Sequence, residues 1–277
     1  MKVKKHLKVN SVEATLPKTR KQLFFRLLKE DFYLIIDLSL VEALFSLPLI
    51  ATLVFEYVFL TGVSVKVENV FPIVFYTGLI SCVGWAIKYV GRCACFSVMK
   101  KRVHNEGCFI TSEVIRSIKT SGVKSAFNGL IAGLSAFIAQ VGAVYLIMVS
   151  TTPLKWLAVG ALALQFVLVF GAAEYFTASE NFYELSFGVQ WKNSFFFSAM
   201  TFPLTFVHFL LTIALPFAVT IFSPWAAIVA AAVYSITGNG LSVLAATLVA
   251  HGVFDKFINQ EHYPEYVGKG LSKDKEV

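Results

Sequence analysis

Five polar residues set inside otherwise apolar runs are where this chain could do chemistry: Asp37, Glu42, Lys88, His208 and Asn239. An ionisable group at membrane depth is costly, so it normally faces a protein interior or a water-filled cavity and serves a proton, ion or solute path, or a structural pair. Asp37 and Glu42 are five residues apart, about 140° around a helix, so they do not form a paired carboxylate site for acid–base work. Asp37 and Lys88 should reach a similar depth on neighbouring spans, and an ion pair between them is the expectation. Glu42 is deeper and has no partner evident in the sequence. Pro48 follows it and can free a backbone carbonyl one turn earlier. His208 stands between Pro203 and Pro216, where a hydrogen-bonding contact between helices is the simpler role. Asn239 belongs to Gly238-Asn239-Gly240, which reads as a kink or as a broken helix exposing backbone groups to a substrate. Glu56 and Glu174 lie near run ends, within reach of water.

The elements that must position these residues are six apolar runs: Phe32 to Thr61, Val70 to Val90, Ala126 to Val149, Leu154 to Thr177, Phe195 to Phe222 and Trp225 to Val253. Each can span a hydrocarbon core at about 20 residues per helix. The expected fold class is all-α, a polytopic membrane bundle of six transmembrane helices arranged as three helical hairpins. A basic cytoplasmic tail occupies 1–21, the membrane domain 22–258 and a polar cytoplasmic tail 259–277. With both termini inside, 22 of the 24 Lys and Arg face the cytoplasm, leaving Lys66 and Lys155 outside. That asymmetry satisfies the positive-inside rule and points to a multi-pass protein of the bacterial cytoplasmic membrane.

The same asymmetry accounts for the net charge of +7. Basic residues beside spans meet anionic headgroups of the lipid bilayer, and no soluble basic face suggests nucleic acid. The basic lead is too long, and the first run too long, for a cleaved signal peptide. Four cysteines near the cytoplasmic half should stay reduced. Cys93-Ala94-Cys95 with His104 and Cys108 is a weak zinc constellation, because C-x-C on a helix points its thiols apart. No P-loop, H-E-x-x-H, G-x-S-x-G or G-x-G-x-x-G occurs, and no nucleophile, base and orienting group assemble; the chain reads as a non-enzyme without a cofactor.

Two amphipathic stretches flank the spans. In Lys21 to Glu30, Leu23, Phe24, Leu27 and Leu28 form one stripe, suited to lying in the headgroup plane; Ile110 to Ile118 repeats the pattern, with Thr111 or Ser112 as its cap. Lys29-Glu30-Asp31, Lys119-Thr120-Ser121 and Lys192-Asn193-Ser194 introduce three outward spans and suggest a weak repeat. Gly129 and Gly133, and Gly160 with Gly171, are small-residue packing positions.

Arg26 to Asp31, Leu44-Phe45-Ser46-Leu47-Pro48, the Phe109 to Lys124 lead, and Tyr183-Glu184-Leu185 through Trp191-Lys192-Asn193-Ser194 together resemble the YesL-type bacterial integral membrane proteins, over roughly 22–215. That resemblance implies an accessory subunit beside a carbohydrate uptake system, with permease subunits of an ATP-binding-cassette importer as partners. The alternative is a small stand-alone transporter or channel. A transport path requires the polar groups to converge on one cavity; a scaffold leaves them paired locally.

Overall fold

Every apolar run becomes helical, and several helices outrun the stretch that seeds them. The computed structural model describes residues 16–61, 67–222 and 224–272. Helix α1 (Arg20–Glu30) opens on a capping box formed by Thr19 and Gln22. It is followed by α2 (Phe32–Thr61), α3 (Val67–Val103), α4 (Ile110–Val149) and α5 (Leu154–Glu180). Next come α6 (Phe187–Met200) and α7 (Phe202–Phe209), the latter continued by a π-helical turn, Leu210–Ala214, into α8 (Leu215–Phe222). Helix α9 (Pro224–Val233) passes through a second π turn, Tyr234–Gly238, into α10 (Asn239–Phe254), and a third, Asp255–Asn259, leads to the short α11 (Gln260–His262). Among the described residues there is no strand. Five helices are long and apolar enough to cross a membrane, and six crossings result if one bent pair counts as a span.

That bent pair corrects the reading of the fifth run as one straight span. Helices α6 and α7 meet at 90°. Thr201 leaves the helical region, at φ −106° and ψ 28°, and Pro203 sits in the first turn of α7, where its missing N–H costs nothing. The Thr201 hydroxyl is held by the Phe197 carbonyl and the Tyr175 hydroxyl, each at 2.7 Å.

The sixth run does not break at Gly238-Asn239-Gly240; its register widens for one π turn and the helix continues. The glycine serves close approach instead. A Cβ at Gly240 would strike the Ile35 carbonyl of α2, and the Gly240 N–H donates to Ser39 Oγ at 2.7 Å. This contact packs the last long helix against the first.

The amphipathic stretches also differ from expectation. Leu23 and Leu27 of α1 are buried in the protein core with Leu38, Val98 and Phe254, so the helix docks on protein through the stripe expected to meet headgroups. Ile110 to Ile118 is the beginning of α4 itself, without a side-chain cap; the Ser112 hydroxyl donates to the Phe109 carbonyl. The three Lys-led junctions therefore share no structure: one is a helix break at Asp31, one lies within α4 and one within α6. Gly129 and Gly133 do pack as read, against Trp85, Ala86 and Cys82 of α3, whereas Gly160 meets nothing within 4 Å.

Outward surfaces are apolar, and polar side chains of the same helices turn inward. Leu40, Leu44, Leu47 and Phe55 of α2 are exposed while Ser39, Glu42 and Ser46 on the same helix are buried. A water-soluble domain rarely exposes so continuous an apolar surface, so the partition fits lipid as the surrounding solvent. Beyond the apolar zone, α3 and α4 project a charged cap. There Arg102 pairs with Asp31, Lys101 with Glu113 at 2.5 Å, Lys124 with Glu180 at 3.2 Å and Arg20 with Asp255 at 2.5 Å. The described part of the 1–21 segment caps α1, and the C-terminal segment folds back rather than trailing: Lys269 pairs with Glu106 at 2.7 Å, and Ser272 N–H donates to the Pro17 carbonyl at 3.0 Å. Residues 1–15 and 273–277 of the two expected tails lie outside the described residues.

Candidate functional site, a buried ionic cluster

Arg92 is the centre of the site, and it comes from the part of α3 that runs on past Val90. Its Nε and Nη2 donate to Glu174 of α5, at 2.7 and 2.6 Å in the closest approaches. Its Nη1 donates to both oxygens of Glu42 on α2, at 2.7 and 2.9 Å. The three side chains are almost fully enclosed: Glu42 is 1%, Arg92 3% and Glu174 6% exposed. Tyr89, one turn before Arg92, adds its hydroxyl to Glu174 at 3.2 Å. Ser242 of α10 accepts from Arg92 Nη2 at 3.0 Å. The planar guanidinium suits this task, because its five donors fan out to two carboxylates at once.

His208 of α7 closes the cluster. Its Nε2 lies 3.6 Å from Glu174 Oε2 and 3.4 Å from Arg92 Nη2, and its ring stacks on Phe170 at 5.8 Å. Lys88 stands one turn from Arg92, half-buried, with its Nζ over the Trp85 ring at 5.1 Å. Among the described residues no carboxylate lies within salt-bridge distance of it. Glu174 is six residues from Glu180, so the cluster sits about 9 Å deeper than the Lys124–Glu180 pair of the charged cap.

Four of the five residues singled out in the sequence meet here. Glu42, Lys88 and Asn239 line a cavity of about 10 Å³ with Arg92, Ser242 and Tyr234; His208 lines a crevice of about 170 Å³ on the other side of Glu174, between α5, α7 and α10. The fifth does not. Asp37 is exposed on the outer side of α2 and makes no ion pair with Lys88. The helical geometry explains the correction: Glu42 faces inward, and a residue five positions earlier must face elsewhere. Glu42 is also not partnerless. Arg92 and Glu174 complete the cluster, the one just past the second apolar run and the other near the end of the fourth.

The first two of the three π turns flank the cluster. Such turns hold one residue more than an α turn and recur at functional sites. Leu211 of the first and Tyr234 of the second are joined by a hydrogen bond from the Tyr234 hydroxyl to the Leu211 carbonyl. Tyr234 thereby covers the small cavity on the side away from the charged cap.

A second polar pair lies in the cap. His104 Nε2 is 3.1 Å from His251 Nε2, and Arg20 reaches His251 Nδ1. Burial, then the neighbouring His251, Lys269 and Lys100, push the His104 imidazole down to about 3. Cys93 faces Ser117 and Asn181 while Cys95 faces the Leu38 carbonyl, so the two thiols diverge as C-x-C on a helix requires. Among the described residues no three His, Cys, Asp or Glu side chains gather as a metal site.

No family model matches this chain, and no curated protein or solved structure matches it.

Proposed function

We propose that this protein is a small non-enzymatic membrane transporter whose translocation site is the Arg92 cluster. The observation that supports it best is convergence. Glu42, Lys88, Arg92, Glu174, His208 and Asn239 arrive from α2, α3, α5, α7 and α10 at one point within apolar helices, with a cavity on either side. Burying so many polar groups at membrane depth is expensive, and groups held there typically mark a substrate or ion path. The larger crevice on the side of the charged cap, and the Tyr234–Leu211 bond across the smaller cavity, suit one conformation of an alternating cycle. By its basic residues, the charged cap is cytoplasmic and the membrane is the bacterial plasma membrane, with both termini inside.

Flux in reconstituted vesicles tests this. Glu42→Gln keeps the shape and some hydrogen bonding to Arg92 while removing a charge; transport should fall sharply with the folded protein still recovered.

One observation favours a second reading, the accessory subunit of a carbohydrate importer: both carboxylates are fully engaged by Arg92, as a static brace would be. On that reading Glu42→Gln leaves vesicle flux unchanged, and permease subunits co-purify in fixed stoichiometry from the native membrane.

A further inference from the structure

We propose that the cleft of about 740 Å³ in the charged cap, between the ends of α3 and α5 and the start of α4, binds the phosphate group of a soluble organic phosphate through Lys100, Lys101 and Arg116. The site lies apart from the Arg92 cluster and does not depend on the translocation reading.

Charge is unevenly distributed along this cleft. Its lining carries four cations and four carboxylates, so the whole is balanced, but its two ends are not. At the end around Glu113, Lys101 donates to one carboxylate oxygen at 2.5 Å and Arg116 reaches both. Two cations thus share one carboxylate, which the Ser97 hydroxyl also engages. Lys100 adds a third cation, and its hydrogen bond goes to a neutral group, the Asn181 carbonyl, at 2.5 Å. The carboxylates that act on Lys100 are Glu106 and Glu113, and each is already bonded by another cation: Glu106 by Lys269 at 2.7 Å, Glu113 by Lys101 and Arg116. At the other end Lys124 is matched by Glu180, while Glu184 is exposed and makes no ion pair among the described residues.

The donors left over set the ligand. Glu113 is buried and held by three side chains, so it fixes Arg116 and Lys101 in place. Arg116 Nη1 has no partner among the described residues, and its side chain is largely open to water. An ammonium carries three N–H groups, so Lys100 and Lys101 each keep two to offer. A guanidinium edge and two ammonium groups match a phosphate, which brings more than one negative charge and three strong acceptor oxygens; a carboxylate would leave part of the positive surplus unanswered. A phosphate alone does not fill the cleft, whose volume is that of a site for a whole small molecule. The remainder leads past the Thr120 and Ser121 hydroxyls to Glu180 and Glu184, which are acceptors for the hydroxyl or amino groups of an organic moiety.

The same polarity argues against a lipid headgroup. Lys124 stands two residues before the apolar stretch that opens at Ala126, and Glu113 lies eleven residues, about 16 Å, farther out along α4. A lipid phosphate at the bilayer surface would meet Glu180 and Glu184 first. A soluble phosphate reaches the cationic end directly from water.

Equilibrium dialysis tests this on the full chain in nanodiscs of phosphatidylcholine, with radiolabelled inorganic phosphate and adenosine monophosphate as probes and adenosine as competitor. Both phosphates should bind, the nucleotide more tightly, and adenosine should displace neither. Arg116→Gln and Lys101→Gln should each weaken nucleotide binding about tenfold or more, as loss of a hydrogen bond to a charged group does. Arg116→Lys should retain part of it, and Glu184→Gln should leave inorganic phosphate binding intact; thermal midpoints identify any variant that fails to fold. A minor fraction of phosphatidylglycerol in the discs should not reduce phosphate binding. Loss of binding there would assign the cleft to a lipid headgroup and overturn the proposal. Binding of neither phosphate, or unchanged binding in folded Arg116→Gln and Lys101→Gln proteins, would overturn it as well.

Discussion

Two regions of this molecule are built from the same ionic parts in different solvents. In the span zone Arg92 bridges two carboxylates with all three side chains enclosed. In the cap Glu113 is bracketed by two cations, Lys101 and Arg116, whose side chains are 29% and 59% exposed. The two cations of the cap can exchange a lost contact for water, although the Glu113 side chain between them is itself only 4% exposed. In this conformation the span cluster has almost no exposed atoms for such an exchange, so its charges depend on one another and every change within it is felt. The cap shows how cations beside a membrane hold protein segments to one another, tying α1, the α3–α4 turn and the C-terminal segment together; the span cluster shows what the polar interior is organised around.

The comparison can be broken at several points. The largest effect should come from Arg92→Leu, which strands two carboxylates in an apolar interior. Removing one partner of a buried ion pair costs about 3 to 5 kcal/mol, and folded yield in mild detergent should collapse. The triple change Arg92→Leu, Glu42→Leu and Glu174→Leu should recover much of the yield while abolishing flux. If the single variant folds normally, the cluster is not buried as described.

Next in size is Gly240→Ala. Its methyl group meets the Ile35 carbonyl, and forcing a tightly packed site apart costs about 1 to 3 kcal/mol. The thermal midpoint should drop, with more loss for Gly240→Val. An unchanged midpoint would mean that α2 and α10 do not touch there.

Acidification probes the cap. Folding lowers the His104 pKa to about 3, so the fold favours the neutral imidazole. That contribution is complete above the unfolded value of about 6.5 and is lost progressively as pH falls toward the folded value; between pH 6.5 and 5 it amounts to at most about 2 kcal/mol. The melting temperature of the unaltered protein should therefore fall more steeply over this interval than that of His104→Gln. Parallel curves would remove His104 from the account.

The smallest effects belong to exposed charges. Arg116→Ala should cost less than about 1 kcal/mol, as surface pairs do, and Asp37→Asn should remain within about 0.5 kcal/mol, as surface substitutions do. A large loss from Asp37→Asn would reinstate the pairing first expected for it.

Much of the helical fold was legible because apolar run length reports a lipid-facing helix directly. The site was half legible. Glu42, Lys88, His208 and Asn239 stood out as polar residues within runs. Arg92 and Glu174 did not, because hydropathy ends a span where polar residues begin: the second apolar run ends at Val90 although α3 continues to Val103, and Glu174 stands three residues before the end of the fourth run at Thr177 although α5 runs to Glu180. A charge that neutralises a buried partner reads locally as a flank. The signal that could have found them is helical phase, since Lys88 and Arg92 lie one turn apart on one face of the same helix. The 90° bend at Thr201 was hidden for a related reason: the fifth run stays apolar through the turn, and Pro203 alone does not distinguish a kink from a reversal of direction.

Thiol accessibility tests most directly the claim that the Arg92 cluster is a water-reached path. In a protein with Cys82, Cys93, Cys95 and Cys108 replaced, Thr212→Cys reports the small cavity and Ala246→Cys the crevice on the opposite side of Glu174. Sealed, oriented vesicles are treated with a membrane-impermeant thiol reagent from one side at a time. The account predicts that Ala246→Cys reacts from the side of the charged cap and Thr212→Cys from the other, with the latter reacting faster when Tyr234→Phe removes the bond to Leu211. Inertness of both thiols from both sides in folded protein would contradict it and leave the cluster as a structural brace.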